Sequence, residues 1–451
     1  MTENPTPRTP ADIMAAVTEV ERQAPGGAEA LYMAAMLADS PLPYDFALAM
    51  DGTPHNPALI NPAAAFFATT ALFEPLVELD LVRTDADARI FTLPRDVRDA
   101  LRDALDPEQT LEWAGRAVYG LNLILPDAEP QNWPTVQWLM PHVHACRDLA
   151  GDIGLTTAAA NRVLHQAGFS LHHQQRHQEA AALLEAAMAV DVLLKTDRHP
   201  DIAADLEGLG TVYWAGGDLE RAEAAFTECL RLQKEIFTED NPVIVSVLNS
   251  LGVVRQALGR AEEAEQAFIE CMRVLEATHG ADHPATASCL SNMALLLEAE
   301  DRSGEALDAA NRALGINRAA YGEDHPEVAS DHNTVALMLE RTGETAGAEE
   351  HFRKSLDIRE RIYGPDHPET AQALCNLALL LSATGREGES LDLFDAGLGA
   401  YETSLGPNHP LMEPALNNFI MLLERLAATG DEVLRSRAES RLKAIVGKGG
   451  A

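Results

Sequence analysis

From residue 158 onward, apolar residues return every three or four positions in short stretches, as in Leu374, Leu377, Ala378 and Leu381. That spacing puts them on one face of a helix. The stretches themselves recur. Prolines stand 42 residues apart at Pro200, Pro242, Pro284, Pro326, Pro368 and Pro410. Five follow a histidine (His199, His283, His325, His367, His409), and the sixth follows Asn241. Further columns keep the same phase. Offset 10 from each proline holds Gly210, Gly252, Ala294, Ala336 and Ala378, and offset 22 holds Ala222, Ala264, Ala306, Ala348 and Ser390. Offset 26 holds Phe226, Phe268, Ala310, Phe352 and Phe394, and offset 29 holds Cys229, Cys271, Ala313, Ser355 and Gly397. A fixed period of this length predicts an array of equivalent supersecondary units.

Each unit reads as two antiparallel helices. Proline fits the first helical position, where its missing N–H leaves nothing unpaired. Gly217, Gly259, Gly343 and Gly385 follow the first helix and permit a left-handed turn. One further unit lies upstream, with Ala158 in place of proline and Leu164, Gly168, Ala180 and Ala187 in register. At the other end, 410–451 is one more unit length, its last helix polar with Arg435, Arg437, Arg441 and Lys443. A polar last helix suits a solenoid cap. The expectation is seven units over residues 158–451. The segments HGADHPATASCLSNMALLL, YGEDHPEVASDHNTVALML and YGPDHPETAQALCNLALLL resemble the 42-residue tetratricopeptide repeat (TPR) of kinesin light chains. The resemblance implies an all-α, right-handed TPR superhelical solenoid whose first helices line a concave groove.

The front of the chain differs in kind. Residues 1–27 form an N-terminal segment, 28–105 a compact domain and 106–157 a helical linker. Helices are predicted over 28–38, 43–50 and 62–79, then from Arg95 to Leu105, and over 107–125 and 134–150. Between them LVRTDADARIFTL alternates around an Asp-rich turn, which signals a β-hairpin. Three helices and a hairpin make a winged-helix-like arrangement. The helix in the recognition position, Pro62 to Asp80, has no Lys or Arg and carries Glu74, Glu78 and Asp80, which would repel phosphates. The stretches LVELDLVRTDADARIFTLPRDVRDALRDAL and EWAGRAVYGLNLILPDAEPQNWPTVQWLMPHV resemble the winged-helix and helical linker of STAND (NB-ARC-type) proteins. In that family a histidine stands where Pro94 is here. The sequence has no GxxxxGK[ST] loop to cradle phosphates.

Charge and composition narrow the partners. A net charge of −36 favours basic partners and disfavours nucleic acid and anionic membrane. No apolar run approaches the ~20 residues of a membrane span, and MTENPTPRTP does not read as a secretory signal. Five cysteines, two in a small-residue column, read as buried reduced thiols, hence a cytoplasmic location. The junction histidines recur one per unit and read as helix starts. His142, His144, His165, His172, His173 and His177 cluster in sequence but read as polar surface and not as a zinc site. No cofactor, metal or catalytic constellation is expected, and the chain is not read as an enzyme.

Binding remains. In the resemblance, offsets 4, 7, 11 and 14 face the groove. Offset 7 holds Asn249, Asn333 and Asn417, and beside it lie the neighbouring polar positions Asn292, Asn376 and Asn418. Offset 11 gives an apolar strip, Val253, Leu295, Leu337, Leu379 and Met421, with Glu298 and Glu340 on its edge at offset 14. Asn amides both donate to and accept from a peptide backbone. The expected ligand is an apolar protein or peptide segment with basic flanks. The expected role is a non-catalytic adaptor or sensor, with the front half docking a separate effector in a STAND-like signalling or defence system. The alternative is a transcriptional regulator whose winged helix binds DNA under control of a repeat-bound ligand.

Overall fold

A computed structural model describes residues 8–47, 72–195, 198–406, 410–428 and 431–449. By contacts the chain divides into two compact units, residues 1–238 and 239–451. The division falls inside the expected array because the helices before residue 158 pack on the first repeat.

The first unit opens with α1 (Pro10–Gln23), started by a capping box in which Thr9 and Asp12 exchange hydrogen bonds of 3.2 and 3.0 Å. Its buried face is Ile13, Val17 and Val20. Next, α2 (Pro25–Met36) runs across the boundary expected at 27/28. Strand β1 (Leu42–Pro43) precedes the short α3 (Tyr44–Ala47). Of the helix expected over 62–79, residues 72–78 are helical (α4). The rest of it, and the end of the helix expected over 43–50, lie outside the described residues. Strands β2 (Arg83–Asp85) and β3 (Ile90–Thr92) pair antiparallel as the predicted hairpin. The third strand was not legible: β1 is two residues long, too short to show alternation, and sets Leu42 against Phe91 in the order β1-β3-β2. Phe73 packs on Tyr44 and Phe91 at ring distances of 4.4 and 4.8 Å, holding α4 to the sheet. Helix α5 (Arg95–Asp103) sends two guanidinium groups to the end of α2. Arg98, only 5% exposed, donates to the Leu37 carbonyl and to that of Ala34 (3.3 Å), and Arg102 to that of Leu37 (3.1 Å). Carbonyls left over at a helix end are satisfied this way. Helices α6 (Pro107–Ile124) and α7 (Trp133–Asp152) follow, then the first repeats, α8 (Ala158–His173), α9 (His177–Leu194), α10 (Pro200–Ala215) and α11 (Leu219–Ile236).

The second unit is built from helix pairs: α12 (Ile244–Ala257) with α13 (Ala261–His279), α14 (Pro284–Ala299) with α15 (Ser303–Tyr321), and α16 (Pro326–Arg341) with α17 (Thr345–Tyr363). They continue as α18 (Pro368–Ala383) with α19 (Glu387–Leu405), and α20 (Glu413–Ala427) with α21 (Glu432–Gly449). In α21 the basic residues form more than a solvated outer face. Arg437 and Arg441 bind Asp392 and Asp395 of α19, the latter at 2.8 Å. Among the described residues no helix is long and apolar enough to cross a membrane.

The junction motif now has a physical role. The imidazole Nδ1 of His283, His325 and His367 accepts the backbone N–H two residues on, each at 3.2 Å, and His199 does the same in the first unit. Tyr321 and Tyr363 stack on His325 and His367 at 4.1 and 4.5 Å, fixing the rings. Asn241 supplies the same acceptor from its side-chain oxygen, to Val243 N at 3.0 Å. His283→Asn therefore leaves stability unchanged, whereas His283→Ala costs about 1 kcal/mol, the usual loss of an N-cap. Urea midpoints of the two variants check this, and equal midpoints would remove the capping role.

The core repeats as the sequence does. Phe268, Phe352 and Phe394 are fully buried, as is Phe226 in the first unit. At Gly252 an added Cβ would lie 2.4 Å from a Phe268 ring carbon, so the glycine is the space the ring occupies. The offset-29 column closes first-helix carbonyls: Cys271 Sγ reaches Val245 O at 3.6 Å and Ser355 Oγ reaches Ala329 O at 2.7 Å.

Candidate functional site

Within the second unit, the first helices α12, α14, α16, α18 and α20 carry the residues expected to face a ligand. The asparagines are brought together in pairs. Asn292 Nδ2 donates to Asn249 Oδ1 at 2.9 Å, and Asn376 Nδ2 to Asn333 Oδ1 at 2.8 Å. Asn417 and Asn418 form no such pair among the described residues; Asn417 is exposed and Asn418 half-buried.

The apolar row at offset 11 is not uniform. Leu295 (40%), Leu379 (37%) and Met421 (68%) are exposed. Val253 and Leu337 are half-buried and pack against the cluster around Phe268, Met293 and Val335. The edge also differs from a row of free acids. The Arg341 guanidinium binds the Glu298 carboxylate, and Arg425 donates to Ser382 Oγ at 2.6 Å. Glu340 is half-buried, and burial holds its carboxyl above the usual range, partly opposed by Arg341. Of the edge acids, Glu298 is thus engaged, while Glu424 is exposed.

Behind this face lie two buried polar groups. Asp331 is 4% exposed and accepts from Ser291 Oγ (3.0 Å) and Asn317 Nδ2 (2.7 Å). Burial still pushes its carboxyl up to about 6. His332 is 3% exposed, with Nδ1 3.0 Å from Nδ1 of His351. Burial, then the second imidazole and nearby cations, pushes His332 down to about 4.

The early histidines are not simply polar surface. His142 is fully buried in α7, its Nε2 3.1 Å from the Pro41 carbonyl, and burial lowers its pKa. The surface expectation fails there because His142 lies on the helix face that also buries Leu139, Val143 and Cys146. His172 and His177 approach at 3.2 Å across the turn between α8 and α9. Among the described residues no three ligating side chains gather to hold a metal ion. All five cysteines are free and buried, and burial pushes Cys146, Cys229 and Cys375 up to about 12. A thiol so held is a poor nucleophile. A cavity of about 660 Å³ in the first unit mixes Arg95, Arg98 and Arg102 with Asp39, Asp99 and Asp148, so it presents no single charge to a ligand.

Sequence reasoning missed the Asn–Asn pairing and the inter-repeat guanidinium contacts. One signal was present: asparagine alternates between offsets 7 and 8, at Asn249, Asn292, Asn333 and Asn376.

The family model of the tetratricopeptide repeat matches residues 159–235, 243–319, 305–360 and 327–403, more than half of the chain. Among solved structures, BtubC (BKLC) from P. vanneervenii is 18% identical, with 52% of this chain and 92% of that chain covered and a TM-score of 0.43. A putative kinesin light chain from Podosopora anserina, with nearly identical TPR-like repeats, is 18% identical over 46% of this chain and 98% of that one, TM-score 0.40. The apo form of RapI is 13% identical over 74% and 86%, TM-score 0.47. No curated protein matches the chain.

Proposed function

Since the chain belongs to the tetratricopeptide repeat family, we propose that it is a non-catalytic adaptor that holds a protein segment against the first-helix face of residues 249–421. The observation that carries this reading is a combination. Each of two asparagine pairs has an exposed leucine one helical turn away, Leu295 after Asn292 and Leu379 after Asn376. Residues three apart share a helix face, so polar and apolar contacts present together. The ligand is an extended segment with apolar anchors, and Glu340, Glu424 and the net charge of −36 favour basic flanks. Residues 28–157 dock a second, separately encoded protein, in keeping with their likeness to the linker of STAND proteins. A DNA-binding role draws no support from Glu74, Glu78 and Asp80.

The test is capture from lysate of the organism of origin by the full chain, beside a Leu295→Glu, Leu379→Glu variant of unchanged circular dichroism. A protein held by the first and reduced about tenfold or more on the second supports the groove. Equal capture by both moves recognition elsewhere and sinks the reading.

A further inference from the structure

The 42-residue sequence period is not the period of the groove. Asn249 pairs with Asn292 and Asn333 with Asn376, yet no hydrogen bond joins Asn292 to Asn333 among the described residues. On the second-helix side Arg302 binds Glu265 at 2.9 Å and Arg386 binds Glu349 at 2.7 Å, with Leu307 at the same offset between the two glutamates and Glu223 one repeat upstream. Leu295 and Leu379 stand out at 40% and 37%, whereas Leu337 between them and Val253 before them are half-buried; Met421, in the last unit, is exposed again. The asparagine pairs and the exposed leucines that follow them repeat after 84 residues.

An amide pair has a definite residual capacity. When one side-chain amide donates to another, the donor keeps a free carbonyl oxygen and the acceptor keeps its NH₂ group. This holds whichever way each amide is turned. Each asparagine pair thus offers one acceptor and one donor, the complement of a single residue of extended backbone. Asn292 and Asn376 then place Leu295 and Leu379 on the same face one turn later.

We infer that the groove reads its ligand once every two repeats, through two equivalent seats, Asn249–Asn292 with Leu295 and Asn333–Asn376 with Leu379. This rests on the groove reading above and deepens it. Neighbouring packed helices lie about 8–10 Å apart, so two repeats set the seats roughly 20 Å apart. An extended chain rises ~3.3 Å per residue. The ligand class is therefore an extended peptide segment with two apolar side chains about five or six residues apart.

Panning a phage-displayed library of random peptides on the immobilised full chain tests this. The expected clones carry two apolar residues at that separation. Their binding falls about tenfold or more with Leu295→Glu and equally with Leu379→Glu, and Asn292→Ala and Asn376→Ala weaken the same clones. Both leucines are exposed, and unchanged circular dichroism verifies the fold of each variant. Clones with one anchor, or anchors two or three residues apart, that still depend on Leu295 or Leu379 overturn the two-repeat period while leaving the groove. Clones indifferent to every substitution overturn the groove itself. Failure to enrich any peptide overturns the inference, because two formed seats should select one.

Discussion

Phe268→Ala lowers the stability of the second unit by about 3–5 kcal/mol, the range for a fully buried aromatic side chain. The ring sits where Gly252 leaves room, and Met293, Ala294, Leu297 and Ala306 share its cluster. Gly252→Ala alone costs about 1–3 kcal/mol, because its Cβ would meet the fully buried ring at 2.4 Å. The pair is coupled. In the double variant the two losses do not add; the shortfall is about 1 kcal/mol or more. The chain contains its own precedent, since the next repeat carries Ala294 and Ala310, both buried, in these two columns. Urea denaturation followed by circular dichroism is the measurement. All four tryptophans, Trp113, Trp133, Trp138 and Trp214, lie in the first unit, so their fluorescence does not report on residues 239–451. Strict additivity would show that glycine and ring are not matched to one another.

The second large effect concerns pH. His332 titrates near 6.5 when unfolded and is pushed down to about 4 in the fold. Its native form is neutral, so its contribution is complete above 6.5 and is lost as pH falls from 6.5 towards 4. A tenfold change in proton affinity is worth ~1.4 kcal/mol, which makes the whole loss roughly 3 kcal/mol. Its neighbour Asp331 works in the opposite sense. A carboxyl raised from 3.8 to about 6 contributes fully below 3.8 and loses that contribution as pH rises through 6. The two partly cancel in the parent chain, and single substitutions separate them. His332→Asn should gain stability relative to the parent as pH falls from 7 to 4, and Asp331→Asn should gain relative to the parent as pH rises over the same interval. The groups facing His332 (His351, Lys354, Arg318 and Glu323) are unchanged in both variants. Parallel pH profiles for parent and His332→Asn would show that the imidazole is not the buried titrating group.

The repeat half was legible because its physics is local. Proline starts, glycine turns and a column of phenylalanines each act within one helix pair, and recurrence multiplies the signal. Side-chain pairing between repeats was harder to see. Asn249 and Asn292 are 43 residues apart, and nothing in either helix alone distinguishes a free amide from a paired one. Glu298 reads as a free edge acid until Arg341, in the next first helix, is placed beside it. Leu337 and Leu379 occupy one column but differ in exposure, because packing of the adjoining helices decides burial. In the front half, β1 escaped notice because two residues carry no alternation, and nothing in the sequence ties Arg98 to the end of α2, 61 residues away at Leu37.

The cysteines have a use beyond packing. Cys229, Cys271, Cys289 and Cys375 fall in four different repeats, all buried, so no repeat among them holds more than one. A thiol sealed in this way reacts with an alkylating reagent only when its surroundings open. Each is thus a clock for the opening of the packing around it, with Cys271 and Cys289, which hydrogen-bond to each other, reporting one shared interface. Comparing the clock at the Cys271–Cys289 contact with that at Cys375 would tell whether the array loosens at one interface before another or all along its length.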